Sequence, residues 1–229
     1  MSASAAVLSL LQAAQQKGQL SAASLANAGD WLRSGALPAE AVASLRDLCD
    51  RGAWAELEDR FYKGIAFGTG GMRGRTVGRV SATNEVDAQG LPVRAAIGSA
   101  CLNDVNVLRA VIGLWKHVSA TQPGARLVVA HDVRHFSRHF AELIAGAWTE
   151  LGGEAYLFAG ARSTPQLSFT VPISAPTPAW SSRPATILPT TTASNAASVM
   201  AARSCRRTTA RSSPKSASSV RPTSPRFSR

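Results

Sequence analysis

Acidic residues disappear from the last quarter of the sequence. Residues 1–171 carry 16 Lys or Arg and 14 Asp or Glu, whereas residues 172–229 carry nine basic side chains and no acidic one. The net charge of +11 therefore belongs to the tail and says little about the front. Cysteine is also scarce. Cys49, Cys101 and Cys205 are too few and too scattered for a disulfide framework or a zinc site. No apolar run approaches the roughly 20 residues that a membrane helix needs. The first thirty residues lack a basic stretch leading into an apolar core, so a secretory leader is not expected. These absences point to a reducing, cytoplasmic home and to no membrane partner. What is present suffices for a core: 45% of the 229 residues are hydrophobic, enough for one large domain or two small ones.

Residues 1–62 read as a helical N-terminal region. Ser4 to Gln16 is rich in Ala, Leu and Gln, which favour helix, and Gly18 interrupts it. Pro38 suits a first helical turn, with Val42, Leu45 and Leu48 following at helical spacing. Trp54, Leu57 and Phe61 form a second buried stripe. Beyond Phe67 the glycines at 68, 70, 71, 74 and 78 predict a loop. A helix is expected from about Val105, a strand at Leu127–Ala130, a helix over Phe136–Leu151 and a strand at Ala155–Phe158. Strand, helix and strand at this spacing make a parallel crossover unit, so the fold class is α/β. Ligands in such sheets bind beyond the carboxyl ends of the strands. His131 to Arg134 and Gly160 to Pro165 leave the two strands there. After Val171, Ser, Thr and Pro dominate and no period survives, which predicts a disordered or aberrant basic tail over 172–229.

The densest chemical motif is Phe67-Gly68-Thr69-Gly70-Gly71-Met72-Arg73-Gly74. Glycines let backbone N–H groups approach an anion, and Arg73 supplies a planar fork suited to phosphate oxygens. No Gly-Lys-Ser/Thr follows, so it is not a Walker loop. The motif resembles the opening element of the α-D-phosphohexomutases, in the phosphoglucomutase and phosphopentomutase branch, after a leader ending in Arg60-Phe61-Tyr62. Val128 to Ser137, with Asp132-Val133-Arg134, resembles the family's strand followed by D-x-R. Arg162 to Phe169, with Ser163-Thr164-Pro165, resembles its next strand-end segment. The resemblance covers about residues 54–171. It implies a three-layer α/β/α first domain, incomplete here and spanning 63–171.

The family's next element carries a T-A-S-H-N-P motif whose serine holds the phosphoryl group, and the sequence lacks it. The genetic code offers a reason. Restoring one base lost at the codon of Pro172 leaves only the first base of most later codons free. Ile173 to Trp180 then permits H-L-G-A-D-A-G-V, and Ser181 to Pro189 permits V-I-T-A-S-H-N-P-A. Val199 to Ser204 permits the downstream D-G-A-Q element. A frameshift from residue 172 would also account for the missing acids and the surplus of Ser, Thr, Pro and Arg.

The resemblance implies an isomerase that interconverts hexose 1-phosphate and hexose 6-phosphate. A phosphoserine passes its phosphoryl group to the substrate hydroxyl, and the resulting bisphosphate returns the other one. Mg²⁺, held by a loop absent here, and a glucose 1,6-bisphosphate type of activator are implied with it. Carried over by position, Arg73 lies near the substrate phosphate, Thr69 shapes its loop, and Asp132 and Arg134 support the site or form a structural ion pair. Ser137 is expected to cap the following helix. His131, His135 and His139 lack a carboxylate at ligand spacing, so no metal is assigned to them. No catalytic residue is assigned, and the translated chain is expected to be inactive. The alternative is a non-catalytic α/β module whose Arg203, Arg206, Arg207 and Arg211 bind nucleic acid through phosphate contacts. With few aromatics to stack on bases, specific nucleic-acid binding is not expected.

Overall fold

Four short helices open the chain: α1 (Ala3–Gln16), α2 (Ala22–Arg33), α3 (Ala39–Asp50) and α4 (Trp54–Phe61). They belong to a computed structural model that describes residues 2–68, 71–120, 125–163, 165–167, 185–192 and 196–202. Ser2 and Ser21 start α1 and α2 by accepting the N–H groups of Ala5 and Ser24 at 3.2 and 3.1 Å. Such caps satisfy donors that have no partner inside the helix. The expected stripes face inward. Val7, Leu11, Leu45, Leu48, Leu57 and Phe61 share one core, which also takes in Ala82 and packs against Ile97 and Val105.

The rest of the fold is a mixed sheet with helices, as an α/β fold requires. Strands β1 (Phe67–Gly68) and β2 (Gly71–Arg75) precede α5 (Asp104–Ser119), β3 (Arg126–Val129), α6 (Ser137–Glu150) and β4 (Glu154–Leu157). The crossover unit read from the sequence is therefore present, with β3 and β4 parallel and Val128 opposite Tyr156. Strands β5 (Ala185–Thr192) and β6 (Ala196–Ala202) complete a six-stranded sheet of order β1-β2-β6-β5-β3-β4. Leu127, Val129, Phe140, Ile144, Trp148, Val107 and Val111 fill the core between β3, α5 and α6. Gly152, at φ 94°, turns the chain out of α6 and into β4.

Two expectations need correction. The glycine-rich segment is not a loop but a hairpin, with Phe67 opposite Met72 and Gly68 opposite Gly71. Glycine in a strand suits a place where another backbone approaches closely, so the composition that suggested a loop is compatible with paired strands. Ser137 does not cap α6. Phe136 occupies the cap position at φ 63°, and the Ser137 hydroxyl accepts the N–H of Asp132 at 3.0 Å. Within the tail, β5 and β6 extend the sheet at 185–192 and 196–202. Ile187 pairs with Val129, and Thr190, Thr191 and Thr192 pair along β6. β-branched residues suit an extended backbone, and the edge of β3 offers unpaired N–H and C=O groups to a strand. The remainder of 172–229 lies outside the described residues.

Candidate functional site at the carboxyl end of the sheet

The strand register assembles this site. β6 runs antiparallel to both β5 and β2, so β2 points the same way as β3, β4 and β5. Met72 is level with Val199 and Pro189, two residues beyond the Ile187–Val129 pair. Arg73 therefore projects from the end of the sheet that also carries the loops after β3 and β4. Its position is three strand intervals from β3, about 14 Å at ~4.8 Å each. Met72 is buried in the sheet core and Arg73 is exposed, as alternate strand residues should be. Among the described residues Arg73 has no hydrogen-bond or ion-pair partner, nor any contact with Asp132 or Arg134. Thr69 lies outside the described residues.

Gly74 explains one glycine of the motif by packing. A Cβ there would lie 2.9 Å from both the Ala100 carbonyl oxygen and the Leu102 nitrogen. β2 can thus press against the 100–102 segment, and the Leu102 N–H donates to the Arg75 carbonyl at 2.8 Å.

The loops after β3 and β4 are joined backbone to backbone. The Phe158 N–H donates to the Val129 carbonyl at 3.1 Å, and the Arg162 N–H to the His131 carbonyl at 2.9 Å. Within the first loop, the Arg134 N–H donates to Asp132 Oδ1 at 3.1 Å, and the guanidinium stands 3.6 Å from Oδ2. This is the geometry of a local turn tied by an ion pair. Buried His131 sets its Nδ1 3.1 Å from the Asp132 carbonyl. His139 lies on α6, where its Nε2 meets Asp104 Oδ1 at 2.8 Å. That hydrogen bond raises the pKa of the ring above its ordinary value. The three histidines do not converge. Among the described residues no group of three or more His, Cys, Asp or Glu side chains is placed to hold a metal ion. Ser163 is exposed at the strand-end turn, where its carbonyl accepts the Leu167 N–H at 3.1 Å.

The sequence reading overlooked the most saturated polar cluster, directly beneath the hairpin. Fully buried Arg60 donates to Glu56 Oε1 at 2.7 Å and to the two Glu85 oxygens at 2.6 and 2.9 Å. It also donates to the Val80 carbonyl at 2.9 Å. Glu85 Oε2 in turn accepts the Ala82 N–H at 2.9 Å, so the carboxylates are themselves satisfied. Arg75, from β2, reaches Asp59 and stands 3.8 Å from Glu56. The available signal was Arg60 falling three residues after Leu57 on an otherwise apolar stripe, with Glu56 one turn before it. Nearby Cys101 is a buried thiol pushed up to about 11 by that burial, and Cys49 is pushed up to about 12 by the same cause. Neither is a nucleophile at neutral pH.

Comparison with known proteins places this geometry in a family context. The phosphoglucomutase/phosphomannomutase α/β/α domain I family matches residues 84–175. A phosphoglucomutase of Staphylococcus haemolyticus (strain JCSC1435) is 29% identical over 114 residues, which is 50% of this chain and 17% of the relative. A phosphoglucomutase of Staphylococcus aureus (strain bovine RF122 / ET3-1) is 28% identical over 116 residues, 51% of this chain and 18% of the relative. The chain thus spans less than a fifth of these relatives. No solved structure gives a significant match. The family match contains Asp132 and Arg134 but begins after Arg73.

Proposed function

We propose that this chain, which is similar to the phosphoglucomutase/phosphomannomutase domain I over residues 84–175 and to phosphoglucomutases over about half its length, derives from a phosphosugar mutase of the phosphoglucomutase type. As translated, it retains substrate-side loops of the first domain and lacks the phosphorylated serine. The extent of the family match carries this reading. It runs through both strand-end loops and stops at residue 175, beside Pro172, where acidic residues have already ceased. A base lost at codon 172 accounts for both facts. The unit 63–171 is then authentic first-domain sequence behind the helical region 1–62, and 172–229 is read out of phase.

Within that unit Arg73 is the residue to receive a phosphate group. It is exposed, permanently charged and unpaired among the described residues, and its planar fork can take two phosphate oxygens. Asp132 and Arg134 hold the neighbouring loop and act on substrate only through its position. Mg²⁺ in a complete mutase would neutralise phosphoryl oxygens. A cytoplasmic location fits a sugar-phosphate substrate, and no helix among the described residues is long and apolar enough to cross a membrane.

The test is an assay of glucose 1-phosphate to glucose 6-phosphate conversion, run beside nucleotide sequencing across codon 172. The purified chain should show no conversion. The gene with one base restored there should produce a longer, active product. Conversion by the chain as it stands, or an uninterrupted frame confirmed independently, overturns the proposal. Salt-dependent nucleic-acid binding lost on deleting 172–229 would select the basic-arm alternative instead.

A further inference from the structure

A cleft of about 330 Å³ is walled by the first turns of α3, α5 and α6 and by the segment around Val93 to Ile97. Small-molecule sites run from about 300 to 1,000 Å³, so this one suits a ligand of few heavy atoms. Ala41, Val93, Ile97, Val105 and Phe136 make its apolar walls. Phe136 stands at φ 63°, the one non-glycine residue with positive φ among the described residues. That conformation is costly for a bulky side chain, and strain of this kind gathers at ligand sites.

Four ionisable side chains also line the cleft: Glu40, Arg94, Asp104 and His139. Two of them satisfy each other, Asp104 Oδ1 standing 2.8 Å from His139 Nε2. Glu40 and Arg94 do not. Both are exposed, and neither side chain has a hydrogen-bond or ion-pair partner among the described residues, each other included. Their backbones are nevertheless fixed to one support, the turn Thr83–Glu85. Asn84 Nδ2 donates to the Glu40 carbonyl at 2.8 Å, and the Arg94 N–H donates to the Glu85 carbonyl at 3.2 Å. Glu85 is itself locked by Arg60. A carboxylate and a guanidinium thus share one cleft on a common frame without meeting. The Ser44 hydroxyl is spent on Asn84 Oδ1 at 2.7 Å. The acceptors left open among the described residues are the Glu40 carboxylate and Asp104 Oδ2. The open donors are the Arg94 guanidinium and the first-turn N–H groups of Glu40, Val105 and His139. Open groups of both signs beside apolar walls call for a ligand with a cationic end, an anionic end and an apolar body.

We infer that this cleft binds a small zwitterion with an apolar side chain, an α-amino acid such as leucine. Glu40 takes the ammonium group, Arg94 takes the carboxylate, and Val93, Ile97, Val105 and Phe136 take the side chain. The site shares no residue with the paired strands that carry Arg73, and it does not rest on the mutase reading or on the frame of the gene.

Calorimetric titration of the full chain tests it, with leucine, isocaproate (which lacks the ammonium group) and isoamylamine (which lacks the carboxylate) as probes. Leucine should bind, with each of the other two weaker by about tenfold or more. Glu40→Gln should weaken leucine by about tenfold or more and leave isocaproate unchanged. Arg94→Gln should weaken leucine equally and leave isoamylamine unchanged, and Arg94→Lys should keep part of the lost affinity. Arg109→Gln, an exposed charge removed elsewhere, should bind leucine as the parent does. Because Glu40 and Arg94 are exposed and their side chains unpartnered, these variants should melt with the parent chain, so lost binding reports the site. Absence of leucine binding by the parent overturns the inference. So does either single-charge probe binding as tightly as leucine, or leucine binding unchanged in Glu40→Gln or Arg94→Gln. A gain of about tenfold in isocaproate binding by Glu40→Gln overturns it too, since the two charges would then be satisfying each other.

Discussion

Among the described residues the two faces of the sheet are covered very differently. On one, Leu127 and Val129 sit beneath α5 and α6 in a core that includes Phe140, Ile144 and Trp148. The other groups Val128 and Ala130 with Leu167 and partly buried Phe158. Beside it the end strand β4 leaves Tyr156 and Leu157 exposed. The helical region stands with the first face. Its seam to the sheet is closed by Arg60, Glu56 and Glu85, all buried. Among the described residues, then, stability is concentrated on the side of α5, α6 and the N-terminal helices.

The largest break in this contrast should come from Arg60→Ala. It leaves two buried carboxylates without their cation and should cost about 3–5 kcal/mol in urea denaturation. A loss below about 1 kcal/mol would mean the seam is not holding the layers together. Next, Leu127→Ala on the well-covered face should cost about 2–5 kcal/mol, while Leu167→Ala should fall at or below the bottom of that range. Equal losses would erase the difference between the faces. Gly74→Ala follows, at about 1–3 kcal/mol, because its Cβ meets backbone that cannot easily yield.

The smallest effect is a pH dependence. The hydrogen bond to Asp104 raises the folded-state pKa of His139. Its contribution is therefore fully present below the unfolded value of about 6.5 and fades as pH rises through the higher folded value. Both groups are about half exposed, so solvent screening limits the effect to a few tenths of a kcal/mol. Melting curves of the parent chain and His139→Gln should converge above that range. A gap that widens with pH would contradict the assignment.

Local signals made much of this architecture legible. The periodic stripe of Trp54, Leu57 and Phe61 and the apolar run at 127–130 each encode their own element, and α6 and β4 begin within a residue of their expected starts. The paired strands were missed because glycine also serves a close approach, as at Gly74, and composition does not separate this from a loop. The Arg60 cluster was missed because Glu85 comes from a turn 25 residues away. At the site, Asp132 and Arg134 were legible as a pair, and the structure gives that pair a local turn. Ser137 was read as a cap because its place near a helix start fits that role, yet its hydroxyl faces the preceding loop. The cleft of Glu40 and Arg94 was invisible, since its residues are spread from 38 to 139 and share no motif.

The N-terminal helices pack mainly against their sequence neighbours, and the arginine seam closes with residues no later than Ile97. Contacts of such short range form early. During synthesis this portion can consolidate while codon 172 still awaits decoding. Under the proposed loss of a base at codon 172, products of both frames share this early-forming portion.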